Sequence, residues 1–596
     1  RDDGQTVLEQ LERANLFLIP LDERRQWYRY HHLFADLLRQ RLTQEKPSEC
    51  APLQRRASRW YDRQGLAYEA VEHARQADDP AWLTELVERW GEELLKRSEL
   101  DTLREWVSLL PESSLEQQPL LAILDSWCAL FGSAQQLELS LNRSQTTLAN
   151  STHLDAYQRA RLQGHWASIR AFAIAREGNP QQGVALAEQA LAQLPEDENL
   201  VRAPLALSVG SGYGMIGNLD KAQAALTQAQ QAGEQSGSFF ALIGAMACQG
   251  ELDRARGRFR DGIRICREAI ELAQRKGCTL VLGYTRAALA RLHMDRWELQ
   301  EAQAELEQAI DLIKLLGDVP CLGVNRAWLA RLKLALGDPA GAADALAQAV
   351  DLAEKADWSE DTRLEVRAHC ALAELAHSHT VTHRQWLGDN VLAEFDPAAF
   401  YHQTNLVRIK FAIRQGHCAE ALPALESLIE RADLEQRQGH ALEWRILQAA
   451  ALLGAGREQA ALAAFEHSVA RARPEGFLRA FAEDWDLLEP LAIRLSDGRK
   501  QFCWGALNRL APSPVGPTPV ALPGQAARPP LLDPMSSREL EVLCWVAQGL
   551  SNRAIAEKLF VSVGTVKTHL HHILAKLAVG NRTEAVHRAR SLGLIA

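Results

Sequence analysis

Lys567, Thr568 and His571 stand on one side of a short helical pattern, and Thr565 stands at its start. The other side carries Val566, Leu570, Ile573, Leu574 and Leu577, the spacing of one apolar face at a 3.6-residue period. A cation, a hydroxyl and an imidazole on the polar side of a packed helix suit hydrogen bonding to base edges and backbone oxygens in the DNA major groove. Thr565 and the backbone N–H groups after Ser562 lie at the helix N-terminus, where a phosphate is favoured.

The surrounding residues supply the elements that hold this helix. Ser536 with Glu539, and Asn581 with Glu584, have the spacing of a capping box. Ser551 and Ser562 are N-cap candidates, and Gly549 and Gly580 sit where helices stop. Four short helices over 531–596 follow. Any one of them would suit an ordinary helical subdomain with a solvated face. Taken in order, Met535-Ser-Ser-Arg-Glu-Leu-Glu-Val-Leu, Gly549-Leu-Ser-Asn-Arg-Ala-Ile-Ala, Val561-Ser-Val-Gly-Thr-Val-Lys-Thr-His-Leu and Lys576-Leu-Ala-Val-Gly-Asn-Arg-Thr-Glu-Ala resemble the LuxR-type helix-turn-helix. The resemblance covers nearly all of 531–596. It implies base-reading positions at Lys567, Thr568 and His571, phosphate contacts near Thr565, and a further DNA contact at Arg582. Relatives often carry Lys or Arg where His571 stands, and usually Asn where His572 stands. These departures bear on the target sequence more than on DNA binding.

A chain of 596 residues exceeds one core, so two to four domains are expected. The net charge of -10 argues against nucleic-acid binding by the whole surface. Residues 531–596 hold eight Lys/Arg and five Asp/Glu, a net +3, which leaves -13 on the rest. A basic end on an acidic body fits a DNA reader attached to a regulatory body. The ten cysteines are scattered singly with no Cys-x-x-Cys pair, as in a reduced, cytoplasmic protein. No signal peptide or membrane-spanning stretch is legible.

Between about 50 and 500 the pattern is a mainly α repeat, rich in strong helix formers. Gly178, Gly217, Gly257, Trp297, Gly337, Gly416 and Gly456 each open a similar amphipathic segment, at steps of 39, 40, 40, 40, 79 and 40 residues. The long step marks a degenerate repeat near 377. A period near forty with two helices per unit predicts an α-solenoid. Small Ala alternates with Leu and Ile in Ala222 to Ala232, Ala302 to Leu312 and Ala342 to Leu352, which permits close helix packing. The array resembles tetratricopeptide-like repeats of the MalT-type regulators. A solenoid offers a surface for a small molecule or a protein, or serves as a spacer, and a binding role is the expectation.

Residues 511–530 contain seven prolines and read as an extended linker. At the other end, Leu16-Phe-Leu-Ile-Pro-Leu and Trp27-Tyr-Arg-Tyr suggest two short strands between helices, a winged-helix segment over 1–45. This stretch resembles the segment that follows the nucleotide-binding module in MalT-like signalling ATPases, where a winged helix closes over nucleotide. His31 or His32 is then a conceivable phosphate sensor, against the simpler role of capping the helix start. No Gly-Lys dipeptide occurs, so there is no Gly-x-x-x-x-Gly-Lys-Ser/Thr phosphate loop. The chain begins at Arg1 rather than Met, which fits a processed or truncated piece of something longer. The resemblance implies an ATP-binding module upstream of Arg1, and no cofactor within the chain.

Two other patterns compete. Gly212-Tyr-Gly-Met-Ile-Gly217 matches a dinucleotide fingerprint, but Gly217 already opens a repeat. His377, His379 and His383, near Cys370, lack a zinc pattern and suit a solvated loop, so no metal is expected. The tryptophans, among them Trp82, Trp90, Trp106 and Trp328, suit the solenoid core better than base stacking. No catalytic constellation stands out. The chain therefore resembles the C-terminal two-thirds of a MalT-like, LuxR-type regulator. The implied partners are double-stranded DNA, RNA polymerase, an inducer or protein on the repeats, and further copies of the chain when activated. No membrane partner is implied. The competing reading is an interaction scaffold whose C-terminal unit docks a protein.

Overall fold

A computed structural model describes residues 8, 10, 11, 18–20, 28–30, 32–355 except 277, 279 and 280, then 360–378, 392, 402–495, 537–547, 550–559, 563–577, 579 and 582–591. The proline-rich stretch 511–530 lies outside the described residues. Two compact units are present. One holds Arg1–Trp90, Ser108–Pro111 and Leu550–Thr568, and the other holds Gly91–Val107, Glu112–Gly549 and His569–Ala596.

In the first unit, strands β1 (Leu18–Pro20) and β2 (Tyr28–Tyr30) pair antiparallel, with Leu18 opposite Tyr30 and Pro20 opposite Tyr28. The helix His32–Glu45 follows and packs on Pro47–Arg63, whose second residue follows a Pro at the tolerated first position. Strand pair then helix is the order read from the sequence. Two of the tryptophans act here through their indole N–H groups. Trp82 donates to Ser58 Oγ at 2.8 Å and Trp90 donates to Asp62 Oδ1 at 3.0 Å.

The second unit contains the repeat array. Its helix pairs include Asn199–Ile216 with Leu219–Ser236, Phe239–Ala255 with Phe259–Lys276, Leu282–Asp295 with Leu299–Leu316, and Val319–Ala335 with Pro339–Lys355. All seven predicted repeat openers lie in the left-handed region, from φ 60 at Trp297 to φ 98 at Gly217. Glycine reaches this region without a Cβ clash, and six of the seven are glycine. Caps reinforce the boundaries. Asp155 and Gln158 form a complete capping box, and Asn218 Oδ1 accepts from Lys221 N at 3.1 Å.

The small residues permit close packing, as the alternation predicted. Ala222, Ala229, Ala302 and Ala309 have no exposed surface. A Cβ at Gly183 would stand 2.6 Å from the Ala171 carbonyl oxygen, so two backbones meet there. Helix Glu360–Ser378 packs on Val319–Ala335, and the next described helix is His402–Arg414. Residues 379–391 and 393–401 lie outside the described residues, with His379 and His383 among them. Cys370 is buried, and among the described residues no group of His, Cys, Asp and Glu could hold a metal.

Two patterns resolve against binding. Residues 212–216 end the helix Asn199–Ile216 and Gly217 caps it, so no strand precedes the glycines as a dinucleotide site needs. Trp106 and Trp328 are buried within their helices.

The array also curls beyond the nearest-neighbour stacking that a repeat implies. Arg479 reaches Asp295 at 2.6 Å and Glu443 at 2.9 Å, and Arg331 grips both oxygens of Glu483 at 2.7 and 2.9 Å. All five side chains are almost wholly buried. Phe259 stacks on Phe477 with ring centroids 5.3 Å apart.

Candidate nucleic-acid interface

The four predicted C-terminal helices are present as Ser537–Ala547, Asn552–Leu559, Val563–Lys576 and Arg582–Ser591. Ser551 caps the second, accepting from the Ala554 amide at 3.3 Å. Ser536, Ser562 and Asn581, the other predicted caps, lie outside the described residues. The first and last helices pack on each other.

The third helix carries the interface. Val566, Leu570, Ile573 and Leu577 are buried along one stripe, and Leu574 is half-buried beside it. At about 100° per residue, helix positions 568 and 571 fall on the opposite half of the circumference. Lys567 falls on the flank, about 90° from the stripe, and is half-buried there. Thr565 is the third residue of the helix, within the first turn where backbone N–H groups have no helical acceptor. Arg582 opens the last helix and is half-buried. The five predicted contact residues thus sit on two helices, four of them in the first nine positions of the third.

One positioning contact was not legible. Glu539, buried to 3 % exposure, accepts from Lys576 Nζ at 2.9 Å, and His572 Nδ1 lies 3.7 Å from its other oxygen. This carboxylate ties the C-terminal end of the third helix to the first. Its capping-box spacing with Ser536 had suggested only a local role.

At the other end, His32 is the first residue of its helix and His31 lies outside the described residues, so the phosphate-sensor reading gains no geometry.

Three family descriptions match the chain in order. A MalT winged helix domain matches residues 1–50, a MalT-like TPR region matches 164–491, and the luxR family of bacterial regulatory proteins matches 533–589. The chain belongs to the MalT-like regulators. It is a DNA-binding transcriptional regulator. The HTH-type transcriptional regulator MalT of Vibrio cholerae serotype O1 is 24% identical over 99% of the chain and 67% of its own length. Two solved structures show weaker likeness. A Rap protein complexed with competence and sporulation factor has a TM-score of 0.40 at 12% identity, over 65% of this chain and 99% of its own. Yeast Tom70 has a TM-score of 0.25 at 14% identity, over 76% and 99%. Neither score bears on the MalT-like assignment. Among the described residues no helix is long and apolar enough to cross a membrane.

Proposed function

We propose that this MalT-like chain senses an inducer on its repeats and reads promoter DNA with the helix Val563–Lys576. Lys567, Thr568 and His571 meet base edges, while Thr565 and Arg582 meet phosphates. The observation that carries the reading is the buried stripe Val566–Leu570–Ile573–Leu577, which leaves the opposite half of the helix for a groove. Activation requires self-association and recruits RNA polymerase, with ATP bound on a module outside the sequence.

The test is selection of bound sequences from a random DNA library by the chain, beside Lys567→Ala. A recovered motif that is lost or relaxed in the variant supports the reading. Enrichment that is equal in both would move base reading away from Lys567. No enrichment at low salt would favour a C-terminal unit that docks protein. Inducer sensing is tested separately, by the shift in thermal midpoint of the chain across a small-molecule library.

A further inference from the structure

Within the repeat unit a cavity of about 440 Å³ is lined by residues from Phe172 to His440. The volume falls within the roughly 300–1,000 Å³ of small-molecule sites. Its walls are unusually charged. Arg176, Arg254, Arg291 and Arg437 face Glu251, Asp318 and Glu365 across it. Each of these cations is already engaged. Arg254 and Arg291 share Glu251, at 2.8 and 2.7 Å, and Arg176 holds Asp318 at 2.7 Å. Two further carboxylates take part, Asp295 at 3.3 Å from Arg254 and Glu435 at 3.2 Å from Arg437. Burial holds the Glu365 carboxyl up to about 7 despite Arg291, so it adds less than a full negative charge to the wall at neutral pH.

Several polar atoms in the wall, Arg437 Nε among them, lack hydrogen-bond partners among the described residues. His369 is 2 % exposed, and its Nδ1 is one of them. Burial, reinforced by Arg331 and Arg291, holds this imidazole well below its ordinary pKa and therefore neutral. Gln403 Oε1 is another. Buried groups of this kind are nearly always satisfied, by water or by a ligand. Beside them lies an apolar wall, where Trp328 packs on the His369 ring at 5.2 Å and Phe172 lines another side.

We propose that this cavity is the inducer site and that its ligand is a small organic anion, a carboxylate carried on an apolar body. The carboxylate lies among Arg254, Arg291 and Arg437 and accepts from Arg437 Nε and from His369 Nδ1 in its Nδ1–H tautomer. The apolar body rests on Trp328 and Phe172. Arginine suits the role because its planar fork pairs with both carboxylate oxygens. The proposal rests on the reading that the repeats sense an inducer.

Gly214 makes it testable without touching the charges. It lines the cavity from the helix Asn199–Ile216, and a Cβ there would meet no atom within 4 Å. Gly214→Phe therefore fills the cavity, while Gly214→Ala leaves it open. The probes are benzoate, phenylacetate and hexanoate, each beside its neutral amide, titrated calorimetrically into the chain and into both variants. The expected result is one site per chain for at least one carboxylate, with a Kd at least about tenfold below that of its amide. Gly214→Ala retains this binding, and Gly214→Phe weakens it at least about tenfold. Arg437→Gln narrows the gap between acid and amide.

Equal binding of acid and amide, lost in Gly214→Phe, would overturn the anion and leave inducer sensing standing. Binding unchanged in Gly214→Phe would overturn the cavity. If no carboxylate binds, the inference fails. If in addition nothing in the wider library shifts the thermal midpoint, inducer sensing fails with it.

Discussion

Lys567 occupies the shoulder of its helix, half-buried beside the apolar stripe. A lysine that reads a base costs about 1–3 kcal/mol when truncated and relaxes specificity at one position. A lysine on a phosphate weakens all sequences alike and lowers the salt slope by about 1. Lys567→Ala is expected to do the former, and a salt titration of binding by both proteins separates the two. Trp297 presents another single-residue competition. It takes φ 60 at a turn where its counterparts are glycine, yet it is only 3 % exposed. The left-handed backbone costs an L-residue about 1–2 kcal/mol, while deleting a buried Trp costs about 3–5 kcal/mol. Burial wins, so Trp297→Gly is expected to destabilise by about 2 kcal/mol, measured by urea denaturation. An unchanged or higher midpoint would show that strain dominates. The repeat spacing made Trp297 legible as an opener. Its packing was not, because spacing does not report what lies above the turn.

Among elements, the third C-terminal helix depends on a carboxylate 37 residues before its partner. Removing Lys576 takes a cation at 2.9 Å from the buried Glu539 carboxylate and leaves His572 at 3.7 Å. Breaking such a pair costs about 3 kcal/mol. Lys576→Ala is therefore expected to speed amide hydrogen exchange in Ser537–Ala547 and Val563–Lys576, with the repeat helices unchanged. Unaltered exchange would mean the pair is ornamental. The helices themselves were legible from short-range signals, because the apolar stripe repeats within fourteen residues and Ser551 lies next to the helix it caps. The Glu539–Lys576 tie was not legible, since a long-range ion pair leaves no periodic trace. The helix pairs of the repeats, by contrast, were legible. The turns at Gly178, Gly217 and Gly257 were set by local chemistry, and the structure places all three in the left-handed region.

Across the whole molecule, the forty-residue period described each repeat and its neighbours but not contacts made far along the chain. Arg479 binding Asp295, and Arg331 binding Glu483, span 184 and 152 residues. The cavity draws on helices from Ala156–Arg176 to Gln438–Gly454, so no window of sequence contains it. These buried pairs make a pH prediction. Burial alone would raise the Glu483 carboxyl, but Arg331, Arg479 and Lys410 outweigh it and hold it at about 2. A depressed folded pKa means the unfolded chain binds the proton more readily. Stability is then full above about 4.5 and is lost as pH falls toward 2, by about 3 kcal/mol from this group. Glu483→Gln is expected to flatten the stability curve between those values, read from denaturation at a series of pH. A curve of unchanged slope would remove Glu483 from the acid response.

The central claim is that a MalT-like array carries a DNA reader on the helix Val563–Lys576. Selection from a random DNA library, with Lys567→Ala in parallel, tests it most directly. The account predicts a short enriched motif with the native chain and a relaxed or absent motif with the variant. Equal enrichment in both would move base reading away from Lys567, and no enrichment with the native chain at low salt would contradict the claim.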